Sequence, residues 1–391
     1  MNEPLRVAIA LGKLGSHVHG RLDARRPFDD EGAFATGTVT GFWTIVKGLA
    51  EFGYDVHAYA DVKEEVTEAE ELAGADAYHI DTWDVGINAL HYDALVSILE
   101  SDLLDGEPKE ESARICVQWL NDFSYARANP LDVVDLFISP SQTHANHLAR
   151  KVLIPSDKIS VVPLASNSEL FAVDVGARRP LSIAYASSPD RGLHHLLGMF
   201  PEIRKRVPGA ELRVYYRIFP WLKDTLDEKA HVGSKHWKRA VEIQKAFDTL
   251  GTEGQNGLYV IGQLTATKMA SELKKTEILA YPLDPVKFTE GFSMTVLDAC
   301  AAGCIPIVAG LDAFPELWSN ATRMIPGRPD APGARDEWIR TIVDMLLAPD
   351  SVKEKHMKRA LARAEELSRT SVAKTWDVVI RKEIKKKGAV A

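Results

Sequence analysis

The chain has 391 residues, a formal net charge of -8, 46% hydrophobic and 26% charged residues, the balance of an ordinary soluble globular protein. That length exceeds one typical domain and predicts two of about 150–200 residues each. The acid excess argues against nucleic acid or an anionic membrane as the main partner, although a local basic patch can still set up its own field. The opening Met1-Asn2-Glu3-Pro4-Leu5-Arg6 does not read as a signal peptide, and no apolar run reaches bilayer-spanning length. Cys116, Cys300 and Cys304 stand in apolar surroundings without zinc-like spacing. They read as buried thiols in a reducing, cytoplasmic compartment.

Residues 5–11 are largely apolar and stop at Gly12, the pattern of a first buried strand in a parallel sheet. Residues 41–52 have helical periodicity, with Phe42, Ile45, Val46 and Leu49 on one face and Gly53 closing the helix. Residues 55–59 give the second strand, which completes a βαβ unit. Residues 114–118, 136–139 and 159–162 extend that sheet. The pattern restarts near 181. A strand at 181–185 leads through a turn at 187–192 into a helix over 193–206, with Leu196, Leu197, Phe200 and Ile203 as its apolar stripe. Strands follow at 211–215, 258–261, 277–281 and 305–308. Residues 217–257, with Trp221 and Trp237 among lysines, read as an inserted helical segment. The fold class is α/β: two Rossmann-like domains with parallel sheets facing a central cleft, hinged near 171–180.

The densest chemistry lies in Glu290-Gly291-Phe292-Ser293-Met294-Thr295-Val296-Leu297-Asp298. One acid opens a glycine turn, and a second follows two helical turns later inside an apolar run. A helix starting at Met294 and Thr295 leaves unbonded N–H groups around Gly291, Phe292 and Ser293, the ordinary setting for a phosphate. Glycine at 291 lets ligand and main chain come close. Asp298 sits between Leu297 and Ala299, where an unpaired acid is costly. It either meets a ligand or serves as a capping or surface acid. Arg191, before Gly192, lies at a helix start where its charge opposes the dipole, and a nearby anion would offset that.

With Lys158-Ile-Ser-Val-Val-Pro-Leu-Ala-Ser166, Ser187-Ser-Pro-Asp-Arg-Gly-Leu193, Ile261-Gly-Gln-Leu264 and the Glu290 segment in this order, the chain resembles a retaining GT-B-fold glycosyltransferase of the family 4 type. The likeness covers nearly the whole chain and is strongest from 158 to 318. It implies an acceptor-side domain over 1–175, a nucleotide-sugar-binding domain over 176–365, and a C-terminal helix over 366–391 that crosses back. It implies transfer of a hexose-type sugar, with retention, from a UDP- or GDP-linked donor to a hydroxyl of a glycan, lipid-linked or small-molecule acceptor, without a metal or other cofactor.

By the same resemblance Glu290 orients the donor sugar, and Asp298, where the family has glutamate, reaches the ribose. Arg191 faces the diphosphate. The family often has a second arginine where Ala186 stands, so the additional charge falls to Lys268, Arg217 or Lys287. Gly15, in the 12–15 turn, approaches the diphosphate, and residues 262–268, with Gly262, hold the base. Asp122, after Asn121, stands where the family carries a His-Asp pair, and either orients an acceptor hydroxyl or caps a turn. His144 and His147 share a helix and face the acceptor or are structural. Trp43, Trp83, Trp119 and Trp221 stack on sugars or fill the core. The basic residues from Arg381 to Lys387 form a solvated helix end or a peripheral membrane contact. The rival readings are an epimerase of related fold and a non-catalytic sugar- or nucleotide-binding protein.

Overall fold

In the computed structural model the described residues are 3–12, 21–26, 28–29, 37–67, 74–105, 112–119, 131–229 and 232–390. They form two compact units. Unit 1 joins Met1–Asn167 to Leu367–Ala391, and unit 2 is Ser168–Glu366.

Among the described residues unit 1 has seven strands: β1 (Arg6–Leu11), β2 (Asp55–Ala60), β3 (Asp76–His79), β4 (Ala94–Ile98), β5 (Ala113–Val117), β6 (Leu136–Ser139) and β7 (Ile159–Val161). Their spatial order is β3-β2-β1-β4-β5-β6-β7. Unit 2 has six: β8 (Ser182–Tyr185), β9 (Glu211–Tyr215), β10 (Leu258–Gly262), β11 (Ile278–Tyr281), β12 (Ile305–Gly310) and β13 (Arg323–Pro326), in the order β10-β9-β8-β11-β12-β13. Every pairing between these strands is parallel. Parallel strands are covered on both faces, which is why the central ones are apolar throughout. Val7 to Ala10 of β1 and Ile278 to Ala280 of β11 are fully buried.

In each sheet the first strand of the unit lies in the middle and the order reverses beside it, between β1 and β4 and between β8 and β11. At such a reversal the loops leave in opposite directions and open a crevice at the carboxyl ends of the strands.

The expected helix over 193–206 is present as Leu193–Arg206, with Leu193, Leu196, Leu197, Phe200 and Ile203 buried. The helix in the first βαβ unit spans Gly37–Glu51. The segment 217–257 contains helices Ile218–Asp227 and Lys235–Leu250. All three cysteines are buried thiols.

The last helix, Arg369–Val390, belongs to unit 1. Trp376 and Ile380 are buried there. Arg369 forks onto both oxygens of Glu51 at 2.6 and 2.7 Å and reaches Asn167 at 2.9 Å. Tyr54 donates to Asp377 at 2.6 Å. Among its terminal basic residues, Arg381 pairs with Asp377, Lys386 with Glu383 and Lys387 with Asp135. Among the described residues no helix is long and apolar enough to cross a membrane.

Candidate functional site

The site is built at the strand-order reversal of unit 2. After β8 the chain makes one tight turn over Pro189–Arg191 and passes through Gly192 at φ 122° into helix Leu193–Arg206. A Cβ at position 192 would stand 1.9 Å from the backbone carbonyl oxygen of Pro282, just after β11. Glycine therefore lets the loop carrying Arg191 lie flush against the loop leading to Glu290. The Asp284 N–H donates to the Arg191 carbonyl at 3.3 Å, tying the two loops.

Arg191 Nη1 donates to Glu290 Oε1 at 2.5 Å. Tyr281 donates its one phenolic proton to the same oxygen at 2.7 Å, so Ser187 Oγ, 2.8 Å away, is the donor to Tyr281. The Glu290 side chain is 6% exposed and that of Arg191 32%, so the pair is buried at its acid end and open at its cationic end. Burial opposes the Arg191 charge, but the Glu290 carboxylate outweighs it and holds the guanidinium firmly protonated. Burial, helped by Glu290, pushes the Tyr281 hydroxyl well up, so it stays a donor. The main chain at Glu290 is fixed as well. The Thr289 and Glu290 N–H groups both donate to Asp312 Oδ2 at 2.9 Å.

Glu290 leads directly into helix Met294–Ala301. Ser293 caps it, accepting from the Val296 N–H at 3.4 Å, from φ 89° and ψ 96°. Thr295 Oγ1 donates to the Ala186 carbonyl at 2.8 Å, and Trp318 Nε1 to the Phe292 carbonyl at 2.9 Å. Gly291, Phe292, Ser293 and Met294 are all buried. Asp298, farther along this helix, is partly buried, and burial alone pushes its carboxyl up to about 7. The helix start and Arg191 thus offer positive potential beside the Glu290 carboxylate, while Asp298 lies farther along the same helix.

Next to this pair lies a cluster that the sequence did not signal. Asp284, 4% exposed in its side chain, meets Arg239 Nη2 at 2.5 Å on one oxygen and Arg328 Nη2 on the other. His195 Nε2 lies at 3.0 Å and His194 Nε2 at 3.6 Å. Burial would raise this carboxyl, but hydrogen bonds from His194 and His195 and the charges of both arginines hold it far below the carboxylate range. Burial lowers His194, which is neutral near pH 7. His194, His195 and Asp284 have the spacing of a cation site. The donor set does not fit one, because both carboxylate oxygens already hold guanidinium groups.

The structure brings together Arg191, Glu290, Gly291, Phe292, Ser293, Met294 and Thr295. Sequence reasoning placed Arg191 and Glu290 on different parts of a ligand, and the ion pair joining them is new. Gly262 ends β10 at φ 88°, and Lys268 is exposed in the first turn of helix Ala266–Lys274. Arg217 and Lys287 are also exposed. Gly15, Asn121 and Asp122 lie outside the described residues. Of the two roles open to the tryptophans, Trp43 and Trp83, 0% and 2% exposed, take the core one in unit 1. Trp119 packs over Gly41, where a Cβ would meet its ring at 2.9 Å. His144 is buried, with Nδ1 3.0 Å from Ser139 Oγ.

No protein-family model matches the sequence, and no curated protein is significantly similar to it. Solved structures do match, over almost the whole chain. AviGT4, a glycosyltransferase involved in avilamycin A biosynthesis, is 13% identical with a TM-score of 0.66, covering 98% of this chain and 99% of that one. The sucrose-phosphate synthase of Thermosynechococcus elongatus is 12% identical at 0.66, covering 97% and 98%. Anabaena HepE in complex with UDP is 12% identical at 0.64, covering 97% and 100%. At these identities the likeness shows the fold. The chain has the GT-B fold of two Rossmann-like units with parallel sheets, an architecture that these differently named proteins share.

Proposed function

We propose that this protein is a retaining glycosyltransferase of the family 4 type, which moves a hexose-type sugar from a UDP- or GDP-linked donor to an acceptor hydroxyl. The observation that carries this reading is the Arg191–Glu290 ion pair beside the start of helix Met294–Ala301, at the strand-order reversal of unit 2. A carboxylate suits sugar hydroxyls, and a guanidinium with helix-start amides suits a diphosphate.

In this mechanism the bond between the anomeric carbon and the diphosphate oxygen breaks, and the leaving oxygen gains negative charge. Arg191 and the amides of Gly291 to Thr295 stabilise that charge, and they are already oriented before the reaction. The acceptor enters on the face that the diphosphate leaves and gives its proton to a phosphate oxygen. Glu290, held by Tyr281 and Arg191, orients the sugar and is not the nucleophile. Asp298, with a pKa of about 7, accepts hydrogen bonds from the ribose hydroxyls once ionised. Gly262 and Lys268 serve the base end, and the family resemblance assigns Gly15 to the diphosphate and Asp122 to the acceptor hydroxyl. No metal is required, because protein groups carry the countercharge.

The test is slow donor hydrolysis without acceptor, read as released nucleotide across a panel of UDP- and GDP-hexoses. One donor cleaved well above the rest, with the signal lost in Glu290→Ala and Arg191→Ala, is the expected result. No cleavage of any donor, with no calorimetric binding of UDP or GDP, overturns the reading.

A further inference from the structure

Asp284 touches no ligand in the mechanism above, yet it ties together the loops that carry Arg191 and Glu290. Arg239, 8% exposed in its side chain, spans the two loops: Nη1 donates to the Asp190 carbonyl at 2.6 Å and Nη2 to Asp284 at 2.5 Å. Arg328, just past β13, holds the other Asp284 oxygen and donates to the Pro285 carbonyl at 3.2 Å. His195, one turn beyond Gly192, reaches Asp284 at 3.0 Å, and the Asp284 N–H reaches the Arg191 carbonyl at 3.3 Å. One carboxylate therefore fixes residues 190–195 and 284–285 from both sides. Burying a carboxylate among two guanidiniums adds little net stability over apolar packing. What it adds is geometry, because each planar fork fixes distance and direction at once.

We propose that Asp284 is a positioning residue: through Arg239 and Arg328 it sets where the Arg191 guanidinium stands relative to Glu290, and so its aim at the departing diphosphate. The kinetic consequence rests on the glycosyltransferase reading, whereas the geometric one does not. A displacement of about 1 Å at a charge-stabilising group costs about 10²-fold in rate.

The test compares wild type with Asp284→Asn, Arg328→Ala, Arg191→Ala and the double variant Arg191→Ala/Asp284→Asn. The readouts are kcat and KM for hydrolysis of the best-cleaved UDP- or GDP-hexose, calorimetry with UDP and GDP, thermal melts, and crystal structures of Asp284→Asn and Arg328→Ala. Asp284→Asn is expected to lower kcat by about 10²-fold while KM changes by no more than about threefold. Arg328→Ala, which removes one half-exposed arm, lowers kcat in the same direction by about three- to tenfold and covers the case in which Asp284→Asn does not fold. The double variant is no slower than Arg191→Ala alone, since Asp284 acts through Arg191. An unchanged kcat in both Asp284→Asn and Arg328→Ala, or a further loss in the double variant, overturns the proposal. Wild type that cleaves no donor and binds neither UDP nor GDP sinks the glycosyltransferase reading instead. The crystal structures then decide: a displaced Arg191–Glu290 pair supports the positioning role, and an unmoved pair overturns it.

Discussion

At the reversal of strand order in unit 1, Gly12 follows β1 and Glu100 follows β4. At the matching place in unit 2, Gly192 follows the Arg191 turn and Pro282 follows β11. Both glycines make room for something, and the two occupants differ in kind. A Cβ at Gly12 would meet the Glu100 carboxyl carbon at 2.0 Å, the far end of a flexible side chain. A Cβ at Gly192 would meet a backbone carbonyl at 1.9 Å. The same topology thus yields a crevice edge that can adjust in unit 1 and one fixed by main chain in unit 2.

The largest expected effect is on activity. Arg191→Ala and Glu290→Gln each lower donor hydrolysis by about 10²–10³-fold, the usual loss of one group aimed at developing charge. Glu100→Gln in unit 1 leaves hydrolysis near the wild-type rate. A comparable loss there, in the same steady-state assay, would erase the distinction between the edges.

Next comes the glycine pair, read by chemical denaturation. Gly192→Ala must move backbone and hold alanine at φ 122°, and loses about 3 kcal/mol or more. Gly12→Ala meets the far end of the Glu100 side chain, which turns aside, and loses less, about 1 kcal/mol. Equal losses would break the contrast.

Asp298 gives a pH effect. Its carboxyl titrates at about 7 in the folded protein and near 4 when unfolded, so between these values the folded state holds the extra proton. Stability from this group is present at low pH and falls as pH rises from about 4 through 7. Asp298→Asn removes that slope and gains about 2 kcal/mol at pH 8, in melts compared with pH 5. An unchanged slope would place the pH dependence elsewhere in the molecule.

The smallest effect concerns strain. Ser293, at φ 89°, pays for its cap with an unfavourable backbone, so Ser293→Gly gains about 1 kcal/mol after a small capping loss. Leu99, at φ 71° before Glu100, also has a partly buried side chain to lose, so Leu99→Gly gains nothing net. Thermal melts of both variants separate the two cases.

The alternation of elements was readable wherever burial is strong. Helix Leu193–Arg206 and strand Glu211–Tyr215 have the bounds that their periodicity predicts. β4, Ala94–Ile98, is as apolar as β1 and is readable in hindsight. β3 and β13 are outermost in their sheets, and Asp76-Ala-Tyr-His79 and Arg323-Met-Ile-Pro326 carry little apolar signal. For the site, local spacing marks Glu290, Asp298 and the helix start. It cannot show that Arg191 and Glu290, 99 positions apart, share a hydrogen bond. Nor can it show that Asp284, Arg239 and Arg328 meet, since each comes from a different part of the chain.

Unit 1 is not continuous in sequence: Trp376 and Ile380 complete its core from the far end of the chain. On a ribosome this reverses the order in which the units finish. Unit 2 is one uninterrupted stretch and can fold as soon as residue 366 has emerged, whereas unit 1, though synthesised first, must wait with an apolar groove uncovered beside helix Gly37–Glu51 until Arg369–Val390 arrives. A stop codon anywhere between those points would leave unit 2 intact and unit 1 prone to aggregation, so loss of the last helix is a lesion of the amino-terminal half.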